Sequence, residues 1–174
     1  MDVAGLLLTP GAGATRDNRT LVTVERVLDA LPVRRVDLPR QAAAAIRAVR
    51  EQADRLADDL GVDPGRIALG GRSFGGRMCS MAVAEGQPAA ALVLLSYPLH
   101  PPGRPEQLRT AHLASVGVPV LAVSGEKDPF GSPDELRHHL AAVAGPLTLE
   151  LVPGGHSPSA DVRVATIVRD WLAG

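Results

Sequence analysis

The sequence predicts an α/β fold: one sheet of about six mostly parallel strands, flanked by helices, in a single domain. Three observations carry this. Six short, nearly continuous apolar runs recur along the chain, each closed by turn residues. Segments with a 3.6-residue apolar period lie between them. The chain is 45% hydrophobic but only 2% aromatic, so Ala, Val and Leu must fill the core. Runs that are apolar at successive positions, rather than alternating, are what strands covered on both faces require.

In chain order, Val3–Leu8 is the first run and leads into Thr9-Pro10-Gly11-Ala12-Gly13. Val33–Val36 is the second and ends at Asp37. Gln41 to Leu60 reads as a helix, because Ile46, Val49, Ala53, Leu56 and Leu60 fall on one stripe. Gly61 suits its C-cap, and Asp63-Pro64-Gly65 makes a turn. Ile67–Leu69 runs into Gly70-Gly71-Arg72-Ser73-Phe74-Gly75-Gly76 and then a helix-like segment. Ala91–Leu95 precedes Ser96-Tyr97-Pro98. From Tyr97 to Gly117, Pro98, Pro101, Pro102 and Pro105 predict a stiff loop with a short helix around Glu106–Ser115. Val118–Val123 leads into Ser124-Gly125-Glu126-Lys127-Asp128-Pro129. Ser132-Pro133-Asp134-Glu135 supplies an N-cap, a first-turn proline and first-turn acids for a helix ending near Ala144-Gly145-Pro146. Leu147–Val152 precedes Pro153-Gly154-Gly155-His156, and a last helix is expected over Ser159 to Leu172.

The bulk properties narrow the function classes. The 174 residues suit one domain over 1–174, large enough to need no disulfide or metal for stability. A net charge of −1 sets up no field toward nucleic acid or a membrane surface. No apolar run approaches the ~18 residues of a membrane span. The N-terminus lacks the pattern of a signal peptide. Cys79 is the single cysteine, so no internal disulfide forms, and no Cys/His cluster has metal-ligand spacing. The expectation is a cytoplasmic protein with no cofactor, no metal and a small-molecule partner.

The serine among four glycines is the chemical clue. Gly71-Arg72-Ser73-Phe74-Gly75 is G-x-S-x-G between a strand and a helix, the pattern of a nucleophile elbow. Glycines two residues either side of Ser73 leave room where strand and helix backbones crowd, and the helix N-terminus favours developing negative charge. A serine nucleophile needs a base, and the base an orienting acid. Asp128 and His156 follow in the order Ser, Asp, His, each just past a predicted strand. Backbone N–H groups of Phe74 and Ala12 are the expected oxyanion donors, with Gly13 the neighbour that competes with Ala12. Gly11, Gly13, Arg72 and Tyr97 are expected to contact substrate.

Each residue has a rival reading. Glu126 competes as the acid, and His100 or His112 as the base; His138 and His139 read as solvated. Asp161 reads as a surface charge and Cys79 as a small core residue. Arg72 and Arg77 would meet an anionic substrate or, the stronger reading, form structural ion pairs. The first run, Gly11-Ala12-Gly13 and Asp37 also resemble the start of a dinucleotide-binding unit, but Arg16 stands where its third glycine should be.

Five segments in order, Leu8–Gly13, Gly70–Met78, Ser96–Gly103, Ser124–Gly131 and Gly154–Ser157, resemble the small dienelactone-hydrolase-like α/β-hydrolases, in the branch with testis-expressed and NSL-complex-subunit-like proteins. The resemblance implies an α/β-hydrolase fold without a cap domain, with Ser73 as nucleophile, Asp128 as acid and His156 as base. It implies hydrolysis of a small carboxylic ester, thioester or lactone; a non-catalytic interaction protein and a serine peptidase are the alternatives. The chain departs from the family at Pro10, where many relatives carry histidine. It also starts at the strand bearing the oxyanion turn, where the fuller fold has two more strands. An exposed sheet edge covered by a homodimer is expected from that.

Overall fold

The computed structural model describes Met1–Gly174. Its strands are β1 (Gly5–Thr9), β2 (Val33–Arg35), β3 (Ile67–Arg72), β4 (Ala91–Leu95), β5 (Val120–Gly125) and β6 (Leu147–Val152). Its helices are α1 (Arg19–Val27), α2 (Ala42–Leu60), α3 (Phe74–Ala84), α4 (Pro133–Leu140) and α5 (Asp161–Ala173). The strands form one sheet in the order β2-β1-β3-β4-β5-β6, and every neighbouring pair is parallel. The chain moves outward from β1 to β2, then returns to place β3 on the other side of β1. That reversal opens a crevice beyond the carboxyl ends of β1 and β3, where open sheets of this type bind ligands.

Both faces of the sheet are buried, which accounts for the unbroken apolar runs. Strand geometry sends Leu7 to one face and Leu6 and Leu8 to the other. The Leu7 face continues through Leu69, Leu94 and Ala122 and packs against Val49 and Leu56 of α2, Met78 of α3 and Leu136 of α4. The Leu6 face continues through Val93 and Val123 and packs against Leu21 and Val24 of α1 and Val164 and Val168 of α5. Each fully buried leucine contributes about 1.5–3 kcal/mol of hydrophobic stabilisation. The α2 stripe is the one read from the sequence, and Gly61 ends it in the left-handed conformation, at φ 65°.

Three expectations change. The helix around Glu106–Ser115 shrinks to one 3₁₀ turn at Leu113–Ser115. Leu108 is exposed, so that stretch has no apolar stripe to bury. α4 stops at Leu140, short of Ala144, because the N–H of Gly145 bonds to the Val116 carbonyl and turns the chain into β6. Asp161 is not a surface charge. It is 8% exposed, accepts from Thr20 Oγ1 at 2.6 Å and pairs with Arg19 Nε at 2.5 Å, tying the first turn of α5 to that of α1.

The stretch between β4 and β5 holds no inserted domain, so the crevice has no cap. The edge strands are short or charged. β2 carries Arg34 and Arg35, paired with Asp59 and Glu25, and β6 carries the exposed Glu150. Charged edges resist pairing with a second sheet. No helix is long and apolar enough to cross a membrane.

Replacing Asp161 with Ala removes both tethers between α1 and α5. The other partner, Arg19, is largely exposed and stays solvated, so the expected loss is about 1–2 kcal/mol rather than that of a fully buried pair. Urea unfolding of the variant beside the parent protein measures it.

Candidate active site

The turn joining β3 to α3 is shaped by crowding. A Cβ on Gly75 would stand 2.5 Å from the Pro10 carbonyl oxygen, and one on Gly71 would overlap Thr9 Oγ1 and stand 2.8 Å from the Gly75 carbonyl carbon. Only glycine lets β1, β3 and α3 come this close. Ser73 absorbs the sharp turn with φ 50° and ψ −115°. That conformation is costly for a residue with a Cβ, about 1–3 kcal/mol, and is held only by surrounding structure. Here the Ser73 N–H bonds to the Leu95 carbonyl, and the Ser73 carbonyl accepts from Arg77 N–H at the start of α3.

Ser73 Oγ lies 2.8 Å from His156 Nε2. On the far side of the imidazole, Nδ1 lies 2.9 Å from Asp128 Oδ2 and 3.0 Å from Oδ1. An ionised carboxylate only accepts, so Nδ1 donates, and Nε2 of the neutral ring is left to accept from the serine hydroxyl. The Asp128 side chain is 1% exposed and also accepts from the Phe130 N–H at 2.9 Å. The Phe130 ring stacks on the imidazole with centroids 4.0 Å apart. The loop carrying His156 is held by Arg72, whose guanidinium donates to the His156 carbonyl at 2.6 Å and to Ser157 Oγ.

A cleft of about 370 Å³ opens over Ser73, lined also by Gly11, Ala12, Arg72, Phe74, Arg77, Pro98, Arg109, Phe130 and His156. Ala12 and Phe74 line it, and the backbone N–H of neither donates to an acceptor in the chain. Gly11 backs onto the serine, since a Cβ there would stand 3.5 Å from Ser73 Cβ. Such an arrangement can transfer a proton from a hydroxyl to an imidazole.

The other expected site residues fall elsewhere. Tyr97 is 1% exposed in the core, its hydroxyl donates to the Arg109 carbonyl, and burial pushes its pKa up to about 12. It does not line the cleft. Gly13 lines a neighbouring groove instead, with Leu38 and Arg40. Arg72 pairs with no carboxylate; its partners are a carbonyl and a hydroxyl, though it does border the cleft. Glu126 is exposed, and the carboxylate that His156 bonds and pairs with is that of Asp128. His100 sits against the Pro101 carbonyl and Glu135. His112 Nε2 lies 2.7 Å from Ser80 Oγ, and burial with Arg77 nearby lowers its pKa. Asp37 accepts from the Arg16 N–H at 2.6 Å, and α1 begins only at Arg19, so no glycine-led helix stands where a dinucleotide would need one. Arg109 and Phe130 are cleft residues the sequence reading missed. Phe130 had a usable signal, as one of only two phenylalanines and two residues past Asp128. Arg109 had none, since only the folding of the proline-rich loop brings it here.

A family model described as an alpha/beta hydrolase domain matches residues 2–164. The chain belongs to the α/β-hydrolase family. Solved structures with this α/β-hydrolase's fold include Est1E from Butyrivibrio proteoclasticus, at 17% identity and TM-score 0.80, over 99% of this chain and 88% of that one. A dienelactone hydrolase from Anabaena variabilis matches at 21% identity and TM-score 0.80, over 98% and 86%. A carboxylesterase from Bacillus cereus matches at 18% identity and TM-score 0.72, over 98% and 88%. With six strands and no cap, this chain is a minimal, dienelactone-hydrolase-like version of the fold.

Two outcomes test the packing around the turn between β3 and α3. Gly75→Ala forces β1 and α3 apart and is expected to cost at least about 1–3 kcal/mol, read by thermal or urea unfolding. The Cys79 thiol is fully buried, and burial pushes its pKa up to about 12. It should therefore resist iodoacetamide at neutral pH in the folded protein and react on denaturation, as intact mass will show.

Proposed function

We propose that this α/β-hydrolase cleaves a small carboxylic ester, thioester or lactone through a covalent acyl-enzyme. The observation that carries the reading is the continuous series of hydrogen bonds from Ser73 through His156 to Asp128, at a cleft lined by Ala12 and Phe74, whose N–H groups have no acceptor in the chain. Ser73 Oγ attacks the carbonyl carbon as His156 Nε2 takes its proton. Asp128 holds the ring with Nδ1–H toward it and stabilises the imidazolium that forms. The N–H groups of Phe74 and Ala12 receive the oxyanion, each typically worth about 3 kcal/mol in the transition state. The tetrahedral adduct collapses, the Nε2 proton passes to the departing oxygen or sulfur, and the acyl group stays on Ser73. Water then repeats the sequence: His156 takes its proton, the hydroxyl adds to the acyl carbon, and Ser73 leaves with the proton.

The scale of the cleft supports small substrates. At about 370 Å³ it lies near the low end for small-molecule sites, and no cap encloses a long chain. Phe130 supports the imidazole from one face, which limits its motion between the two proton transfers.

The deciding experiment is labelling with a fluorophosphonate. One adduct should map to Ser73, and Ser73→Ala should take none. Asp128→Asn is expected to keep the fold and lower kcat about 10³–10⁴-fold, because the ring then settles in the wrong tautomer. Folded protein that takes up no probe would overturn the enzyme reading and leave an interaction protein built on a hydrolase fold.

A further inference from the structure

Six arginines of the chain are partly buried: Arg34, Arg35, Arg50, Arg72, Arg77 and Arg109. The first three each meet a carboxylate, Asp59 at 2.5 Å, Glu25 at 2.7 Å and Glu85 at 3.2 Å. Arg72 is spent on the His156 loop. Arg77 and Arg109 have no such partner. Neither forms an ion pair, neither side chain makes a hydrogen bond, and Arg77 Nε is shielded from solvent with nothing to donate to. Both border the cleft over Ser73, and no Asp or Glu lines that cleft.

Holding the two guanidinium groups near each other costs energy. Burial, and then the neighbouring charge of Arg77, lower the pKa of Arg109. Like charges drawn together and partly desolvated are unfavourable unless an anion joins them. The fold nevertheless fixes Arg109 firmly. Its N–H donates to the Leu99 carbonyl at 2.8 Å, and its carbonyl accepts from the buried Tyr97 hydroxyl at 2.7 Å. Arg77 is fixed as well, on the first turn of α3, with its carbonyl accepting from Ser80 Oγ.

We propose that Arg77 and Arg109 form an anion subsite, and that the substrate is an ester carrying a second, oxyanionic group beside the scissile bond. A guanidinium presents a rigid fork of donors matched to carboxylate or phosphate oxygens. Two of them facing a cleft free of acids supply the charge that such a group needs when it leaves water. The inference rests on the hydrolase reading above and names the substrate class for the same serine.

The test compares two p-nitrophenyl esters of equal acyl length, the hemiglutarate and the valerate, which differ by one terminal carboxylate. Expected is a kcat/KM at least about tenfold higher for the hemiglutarate, shrinking as potassium chloride is added. Arg109→Gln and, separately, Arg77→Gln should each bring the ratio of the two esters toward one, and Arg109→Lys should restore part of it. Because the ratio is taken within each protein, a partly unfolded variant does not distort it. Glutarate and inorganic phosphate, each competing against valerate turnover, distinguish which oxyanion the site holds. A fluorophosphonate adduct on Ser73 with a ratio near one and no competition by either anion overturns the subsite alone. Absence of the adduct on folded protein overturns the hydrolase reading and the subsite with it.

Discussion

Everything in the site depends on how closely three backbone segments approach at the start of α3. The carbonyls of Thr9 and Pro10, at the end of β1, lie where side chains of Gly71 and Gly75 would otherwise stand. This contact sets the tightness of the turn, and the turn forces Ser73 to positive φ. The same contact brings the β1 turn beside the first turn of α3, so that Ala12 and Phe74 border one cleft. The strain at Ser73, its place at the cleft and the meeting of Ala12 with Phe74 are therefore consequences of a single packing constraint.

A second level of order is polar. Asp128 is almost wholly removed from water, yet it accepts from both His156 and the Phe130 backbone, so its burial is compensated. Arg72 was the natural candidate for a substrate contact from its place beside the serine. It instead holds the carbonyl of His156, and so acts on the imidazole through the loop that carries it. Tyr97 works in a comparable way at one remove, anchoring the backbone of Arg109 from inside the core. Arg72 and Tyr97 thus serve as supports, and Arg72 also lines the cleft beside Arg77 and Arg109.

The chain reaches this arrangement with few aromatic residues. Two of its four, Phe74 and Phe130, border the cleft, while the core is filled by Leu, Val and Ala from strands covered on both sides. Small aliphatic side chains suit a thin sheet with helices drawn close. Phe130 gives the His156 imidazole a flat surface to stack on, and Phe74 lines the same cleft.

By itself the sequence determined the fold class and the local chemistry. Buried parallel strands write themselves as continuous apolar runs, α2 as a stripe, and the elbow as glycines at fixed distances from Ser73, because each of these is a short-range constraint. The order Ser73, Asp128, His156, each past a strand end, was legible for the same reason. Tertiary structure alone decided what lies far apart in sequence and carries no periodic signal. It brought Arg109 to the cleft and took Tyr97 away from it. It buried Asp161 between α1 and α5, and gave Gly13 to a neighbouring groove. It also shortened the helix expected near Glu106 to one turn. In each case the outcome was set by which surface the folded neighbours left open, and a linear pattern contains no record of that.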